Sequence, residues 1–108
     1  MKFFRTHILI GTDEGSLLAG SAKIEQLLKQ ELVKQGLQDE IMLLSTGSLG
    51  YLNQGVCLKV LPDNVVYSHV TEEDIPELVE QHLLKGRPLK RLIMTQLFSV
   101  KLGHYEPL

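Results

Sequence analysis

The fold is decided by residues 7–36, HILIGTDEGSLLAGSAKIEQLLKQELVKQG. Residues 7–10 form a short apolar run with β-branched side chains that ends at Gly11, which predicts a buried strand. Apolar residues then recur at helical steps of three, four and seven, which predicts one helix over about 16–35. The residues of this apolar stripe are Leu17, Ile24, Leu27, Leu28 and Leu32. Ser16 is the predicted N-cap of the helix, and Gly36 is the residue expected to end it.

The rest of the chain predicts three more strands and one more helix. Residues 41–45 form a second short apolar run, and residues 57–61 alternate between apolar and polar side chains. The turn residues at 62–64 then predict a hairpin with a returning strand over 65–70. A hydroxyl followed by acids predicts an amphipathic helix over 71–85. The order β-α-β-β-β-α predicts an α/β (α+β) fold, with two main helices on a four-stranded mixed sheet in a two-layer sandwich.

Length and composition limit the class of protein. The 108 residues carry a net charge of −2 and are 44% hydrophobic, which predicts a single domain over 1–108, with 95–108 as a tail or extra strand. Its near-neutral charge argues against nucleic acid as a partner. No apolar stretch is long enough to insert into a membrane, and the charged start lacks the apolar core of a secretory signal. We therefore expect a soluble, cytoplasmic domain.

Few residues offer catalytic chemistry. The glycine-rich turn over 11–20 lacks the Lys-Ser/Thr pair of a phosphate-binding loop. His82 lies on an apolar helix face, where a hydrogen-bonded core histidine is the expected outcome. Cys57 is the one cysteine, which excludes a disulfide within the chain and a four-cysteine metal site, and we expect a buried, inert thiol. The sequence therefore does not predict an enzyme.

Several segments together are typical of one known family. They are residues 7–10, the Thr46-Gly47-x-x-Gly50 loop, Gly55, residues 66–76 and residues 80–88. Through them the chain resembles the thioredoxin-like [2Fe–2S] ferredoxin family. Within that family it is most similar to the ferredoxin-like domain at the start of the NADH-oxidising flavin subunit of NAD(P)-linked hydrogenases and NADH dehydrogenases. The resemblance implies that the sandwich is thioredoxin-like.

In that family four cysteines hold a [2Fe–2S] cluster. The resemblance places these positions at Gly11, Ser16, Ser48 and Leu52, and none of them is cysteine. Hydroxyls ionise far less readily than thiols, while glycine and leucine offer no side-chain ligand at all. We therefore expect no bound cofactor and no metal in this chain.

The resemblance implies that this chain is a cluster-free relative of these ferredoxins. Such a chain would act as a docking, assembly or regulatory component of an NAD(P)H- or hydrogenase-type redox complex, with protein subunits of that complex as partners, or with a second copy in a homodimer. An alternative is an electron carrier that binds a metal or iron–sulfur cluster through unusual or intersubunit ligands, with Cys57 and His104 as candidates. A thiol enzyme is a third possibility, although the chain has no C-x-x-C motif.

Two groups of residues near the end of the chain could contact a partner. The first is a basic cluster, which is either a solvated helix end or a docking patch for an acidic partner. It consists of Lys85, Arg87, Lys90 and Arg91, with Phe98 as an apolar neighbour. The second group is apolar and is predicted to bury against a second copy or a partner, because large apolar patches are rarely left open. It consists of Ile93, Leu97, Phe98 and Val100.

Overall fold

A computed structural model of the chain describes residues 3–47, 49 and 54–94. The elements follow the predicted order, with one additional short helix. They are β1 (Thr6–Gly11), α1 (Glu14–Leu18), α2 (Ser21–Lys34), β2 (Ile41–Thr46), β3 (Leu58–Leu61), β4 (Val65–Tyr67) and the helical region α3. The region α3 consists of a 3-10 turn (Glu72–Asp74), an α-helical turn (Ile75–Glu77) and a π-helical segment (Leu78–Leu84). A further 3-10 turn follows at Lys90–Leu92.

The four strands form one mixed sheet in the order β2-β1-β3-β4. β1 pairs with β2 in parallel, whereas β3 runs antiparallel to both β1 and β4. A parallel pair needs a crossover connection, and α2 provides it. The predicted four-stranded mixed sheet with two main helices is therefore confirmed.

The two faces of the sheet differ in burial. Five strand side chains that point towards the helices are fully buried: Ile8, Ile10, Leu58, Val60 and Tyr67. Helical side chains complete this core, among them Ile24, Leu28, Leu78 and Val79. The alternate strand residues, such as Leu9, Lys59 and Val66, are only half-buried. Both α2 and α3 therefore cover one face, which gives two layers.

The first helical segment departs from the prediction of one helix over 16–35. It is divided into α1 and α2 at Ala19–Gly20, and Gly20 has a φ of 101°, a left-handed conformation that ends one helix and begins the next. Ser16 is not the N-cap, since Asp13 caps α1 instead. Gly36 has the positive φ expected of a residue that follows a helix.

The second strand of the hairpin is shorter than predicted. It ends at Tyr67 because the next backbone groups bond elsewhere: Ser68 N–H donates to Leu92 O, and His69 N–H donates to Gln54 O. His69 also has a φ of 53°, which is incompatible with an extended strand. The helix start at Thr71 is confirmed, because its N–H and its hydroxyl both donate to Asp74 Oδ2, at 2.8 and 2.9 Å.

The apolar end of the chain is described only in part. Ile93 is partly buried against the core of this same chain, and the expectation that it also packs against a second copy or a partner stays a prediction. Leu97, Phe98 and Val100 lie outside the described residues, as does the whole of 95–108. Within the described residues, no helix has the length and apolar character needed to cross a membrane.

Candidate functional site

The candidate site lies where the parallel strands β1 and β2 end, with Gly11 opposite Thr46. The backbone N–H of Thr12 donates to both Thr46 O and Gly47 O, each at 2.8 Å. The Thr12 hydroxyl also donates to Thr46 O. These bonds join the segment after β1 to the segment after β2. The resemblance places two ligand positions on either side of Thr12, at Gly11 and Ser16, and the other two after Gly47 in the sequence.

Asp13 holds Ser16 beside Gly11. As the N-cap of α1, it accepts the Ser16 hydroxyl at Oδ1 (2.7 Å) and the Ser16 N–H at Oδ2 (3.3 Å). The hydrogen bond from the Ser16 hydroxyl is the main reason why the pKa of Asp13 lies below its ordinary value of 3.8. The carboxylate is therefore ionised at neutral pH, and the hydroxyl proton of Ser16 is already engaged.

Little space remains around Gly11. A Cβ atom added to Gly11 would lie 3.3 Å from Ser16 Oγ, 3.4 Å from Asp13 Oδ1 and 3.7 Å from Leu49 Cδ1. The first distance is a short contact for a carbon atom, and the other two are ordinary van der Waals contacts. Asp13, Ser16 and Leu49 therefore surround the first of the four ligand positions.

Cys57 is part of the same region through its backbone. Its carbonyl accepts the Gly11 N–H at 3.4 Å, and its buried Sγ lies 3.7 Å from Gln54 O and 3.9 Å from Gly55 O. Burial, and secondly the negative charge of Asp13, raise the pKa of the thiol from 9.0 to about 11. Cys57 is consequently a neutral thiol at physiological pH, and a thiol binds metal poorly until it ionises.

These residues do not fit a [2Fe–2S] cluster held by four thiolates. Gly11 has no side-chain donor, Ser16 is bonded to Asp13, and the chain has a single cysteine. Ser48 and Leu52 lie outside the described residues. Across 3–47, 49 and 54–94, no three His, Cys, Asp or Glu side chains are grouped so that they could hold a metal ion.

The basic cluster is only partly neutralised by neighbouring acids. Lys85 lies 3.5 Å from Glu80, and Arg91 is bonded to Asp74 and Glu77 at 2.9 and 2.6 Å. Hydrogen bonds from Arg91 to Glu77 and then to Asp74 raise the pKa of its guanidinium further. Arg87 and Lys90 are exposed, and neither forms an ion pair with any residue in the described part of the chain. Phe98 lies outside that part.

His82 is a hydrogen-bonded core histidine, as its position on an apolar helix face predicts. Its Nδ1 lies 2.6 Å from Tyr67 Oη and its Nε2 lies 2.8 Å from Asp63 Oδ2. Tyr67 Oη also accepts the Leu89 N–H at 3.0 Å, so its own proton is directed to His82 Nδ1. The partners of His82 come from β4 and from the β3–β4 turn, and no sequence spacing indicated them.

Comparison with known proteins supports the resemblance. No protein-family model matches the chain. A 2Fe-2S ferredoxin from Clostridium pasteurianum is 38% identical over 72 residues, which cover 67% of this chain and 71% of that protein. The chain belongs to the thioredoxin-like [2Fe–2S] ferredoxin family. A second 2Fe-2S ferredoxin, from Aquifex aeolicus, is 36% identical to this family member over 55 residues, or 51% of this chain and 50% of the relative.

Solved structures confirm the thioredoxin-like fold of this ferredoxin-family chain. The wild-type thioredoxin-like [2Fe–2S] ferredoxin from Aquifex aeolicus matches with a TM-score of 0.78 and 26% identity, over 88% of this chain and 99% of that one. A variant of that ferredoxin with serine in place of one cysteine matches with a TM-score of 0.79 and 26% identity, over 83% and 98% of the two chains. Family membership with a single cysteine is consistent with a degenerate cluster site.

Proposed function

We propose that this chain is a cluster-free member of the ferredoxin family that acts as a docking, assembly or regulatory component of an NAD(P)H- or hydrogenase-type redox complex. The narrower likeness, to the ferredoxin-like domain of an NADH-oxidising flavin subunit, suggests the kind of complex. Its role would be to contact other subunits rather than to carry electrons. The partners would be protein subunits of that complex.

One contact supports the loss of the cluster: the Ser16 side chain is hydrogen-bonded to the Asp13 carboxylate. The Ser16 hydroxyl donates to Asp13 at 2.7 Å, and this carboxylate would also lie 3.4 Å from a Cβ atom at Gly11. A cluster held by thiolates is already electron-rich, so a carboxylate beside it is unfavourable. The nearby thiol of Cys57 is neutral, which argues against the alternative of an electron carrier that uses this residue.

Arg87 and Lys90 support the docking role. Charged side chains that already have partners add little to an interface, because docking must first break those ion pairs. Arg87 and Lys90 are exposed and free of such pairs within the described residues. We therefore assign them, rather than Lys85 or Arg91, as the principal contacts for an acidic partner surface.

The test of cluster loss compares the wild-type protein with a variant that restores four cysteines. Both are purified anaerobically, incubated with iron, sulfide and a reductant, and desalted before iron and sulfide analysis and visible spectroscopy. The restored variant carries Gly11→Cys, Ser16→Cys, Ser48→Cys and Leu52→Cys. We expect a coloured cluster in this variant and none in the wild type. A stoichiometric, coloured iron–sulfide centre in the wild type would establish the electron-carrier alternative, with Cys57 and His104 as the first ligands to replace.

The docking role is tested by affinity purification from the native host. We expect the wild type to retain flavin- or iron–sulfur-containing subunits of an NAD(P)H-linked or hydrogenase-type complex. The double variant Arg87→Glu/Lys90→Glu should lose them, whereas the control Lys23→Glu/Lys34→Glu, with the same charge change on α2, should retain them. Recovery of no redox subunit with the wild type would contradict the proposal, and equal recovery with both variants would contradict the assigned surface.

A further inference from the structure

Two large apolar side chains at the end of α1 are exposed to solvent. Leu17 is 51% exposed and Leu18 is 83% exposed, and neither belongs to the hydrophobic core. A single apolar side chain on a protein surface is ordinary, whereas neighbouring ones beside a concave site are typical of a protein-binding surface. The packing of the core therefore does not account for this pair of leucines.

A groove begins at the residues that directly follow these leucines. It has a volume of about 420 Å³ and lies between the α1–α2 junction and the start of α3. Ile24 and Val70 are buried side chains that give the groove an apolar floor. Gly20 leaves one side of it open, because a Cβ atom added there would meet no atom within 4 Å. The described lining consists of Ala19, Gly20, Ile24, Val70, Thr71, Glu72 and Glu73.

Two carboxylates without cation partners lie at this groove. Glu72 and Glu73 are exposed, and neither forms an ion pair within the part of the chain that the structure describes. The nearby cation Arg91 is bonded instead to Asp74 at 2.9 Å and to Glu77 at 2.6 Å. None of the described residues that line the groove is a cation. The groove thus combines an apolar floor with a negatively charged rim.

We propose that the two leucines and this groove form a docking surface for a basic, apolar segment of a partner protein. An apolar side chain of that segment enters the groove, and its neighbours pack against Leu17 and Leu18. Lysine or arginine side chains next to the apolar ones then contact Glu72 and Glu73. An amphipathic segment that lays its apolar side chains into a groove is a common mode of recognition. An acidic segment is disfavoured, because like charges would face each other across the interface.

This inference goes beyond the proposed function. The contacts assigned there, Arg87 and Lys90, suit an acidic partner surface, whereas the groove suits a basic one. The two surfaces have no residue in common, so each can be tested while the other is intact. A chain that carries both could contact two partners of opposite charge and so hold them together.

The probe for this surface is a short fluorescent peptide of leucine and lysine, spaced so that the leucines form one face of a helix. Fluorescence anisotropy measures its Kd for the wild-type protein. We expect binding that weakens as salt is added, because salt screens exposed charges. A peptide with glutamate in place of lysine, and one with serine in place of leucine, should each bind about tenfold more weakly or less.

The contribution of the leucines is measured with Leu17→Ser/Leu18→Ser. This variant should raise the Kd of the leucine–lysine peptide about tenfold or more, because it removes apolar area that docking would bury. The matched control is Val33→Ser/Leu84→Ser, which removes two other exposed apolar side chains and should leave the Kd unchanged. Urea midpoints of both variants close to that of the wild type would show that each is folded.

The contribution of the acids is measured with Glu72→Gln/Glu73→Gln. This variant should raise the Kd about threefold or more at low salt and make the Kd less dependent on salt. The control Glu31→Gln/Glu80→Gln removes the same charge at two residues that do not line the groove, and it should bind the peptide as the wild type does.

Nuclear magnetic resonance of the wild type gives a readout that needs no variant. Addition of the leucine–lysine peptide should shift the amide signals of residues 17–24 and 70–73 more than those of the second half of α2. A wild type that does not bind the peptide, or that binds the glutamate peptide as tightly, would overturn the proposal. Equal effects of the test and control variants would also overturn it, as would binding of phosphatidylcholine vesicles through the leucines in place of the peptide.

Discussion

The imidazole of His82 lies 2.8 Å from the carboxylate of Asp63, and this contact joins a fully buried ring to a half-exposed turn. On the other side of the ring, His82 Nδ1 is hydrogen-bonded to Tyr67 Oη, which also accepts the Leu89 N–H. Burial raises the pKa of Tyr67 to about 12; the hydrogen bond from the Leu89 N–H lowers this pKa in part, and the charge of Asp63 makes a smaller contribution that raises it. Tyr67 therefore stays protonated and can donate to His82 at any physiological pH.

Removal of the Tyr67 hydroxyl should destabilise the fold more than a change at Asp63. Tyr67→Phe leaves both His82 Nδ1 and the Leu89 N–H without a partner, which should cost about 2 kcal/mol in the free energy of unfolding. Asp63→Asn keeps an acceptor oxygen in a half-exposed position and should cost less than about 1 kcal/mol. Urea unfolding monitored by circular dichroism measures both, and equal losses would contradict the hydrogen-bond chain.

Asp74 should make the fold sensitive to acid. Burial alone would raise its pKa, but hydrogen bonds from Thr71 and Arg91 outweigh burial and hold the pKa below 3.8. A carboxyl group with a lower pKa in the folded state stabilises the protein fully above its unfolded pKa, and this stabilisation is lost as pH falls through the folded value. Asp74→Asn should therefore lower the free energy of unfolding at pH 7 by about 1 kcal/mol, which is typical for the loss of an N-terminal helix cap. The variant should also lose less stability than the wild type between pH 5 and pH 2.

The matched control for Asp74 is Glu73→Gln, which removes an exposed neighbouring charge. We expect its urea midpoints at pH 7 and at acid pH to follow those of the wild type. If Glu73→Gln and Asp74→Asn respond alike to pH, net charge rather than the cap accounts for the acid sensitivity.

Cys57 should react slowly with alkylating reagents in the folded protein. A pKa of about 11, compared with 9.0, lowers the thiolate fraction at neutral pH about 100-fold, and burial slows access further. Asp13→Asn removes the charge that contributes to this shift, so labelling in native buffer should become faster. Mass spectrometry of iodoacetamide-treated protein measures both rates. Native labelling as fast as in concentrated urea would disprove the protected thiol.

Two glycines with positive φ should differ in their tolerance of alanine. At Gly55 an added Cβ would lie 3.1 Å from His69 Nδ1 and 3.2 Å from its Cα, in addition to the strain at a φ of 67°. At Gly20 the φ is 101°, but the added Cβ would meet no atom within 4 Å. Gly20→Ala should therefore cost about 1 kcal/mol and Gly55→Ala more than about 2 kcal/mol in thermal unfolding. A larger loss of stability for Gly20→Ala than for Gly55→Ala would contradict the close approach of Gly55 to His69.

Much of the fold follows from local patterns in the sequence. The run at 7–10 and the helical period up to Gly36 identified the first strand and crossover, because apolar spacing reflects which face is buried. The same reasoning missed the break at Gly20, since an apolar stripe can continue through a turn in which only one residue leaves helical geometry. It also extended β4 to residue 70, because hydrogen bonds from Ser68 and His69 to distant segments leave no periodic signal.

The sequence indicated where the candidate site lies along the chain, but not which side chains contact each other there. The resemblance located Gly11 and Ser16, and the structure places them side by side. The resemblance gave no indication of Asp13, whose carboxylate lies next to both residues, because an acid before a helix is also typical of an ordinary N-cap. The partners of His82 were missed for a similar reason: Tyr67 is a strand residue, Asp63 is a turn residue, and only the tertiary fold joins them.

The Thr12 amide, shared between two carbonyls, has a consequence for how this chain can change over time. The link between the loops depends on main-chain atoms of Thr12, Thr46 and Gly47, and every amino acid except proline carries the same donor and acceptor. Mutations that replaced a metal-binding side chain there would leave this link in place. A chain without side-chain ligands in these loops can therefore keep the main-chain link that holds the two loops together.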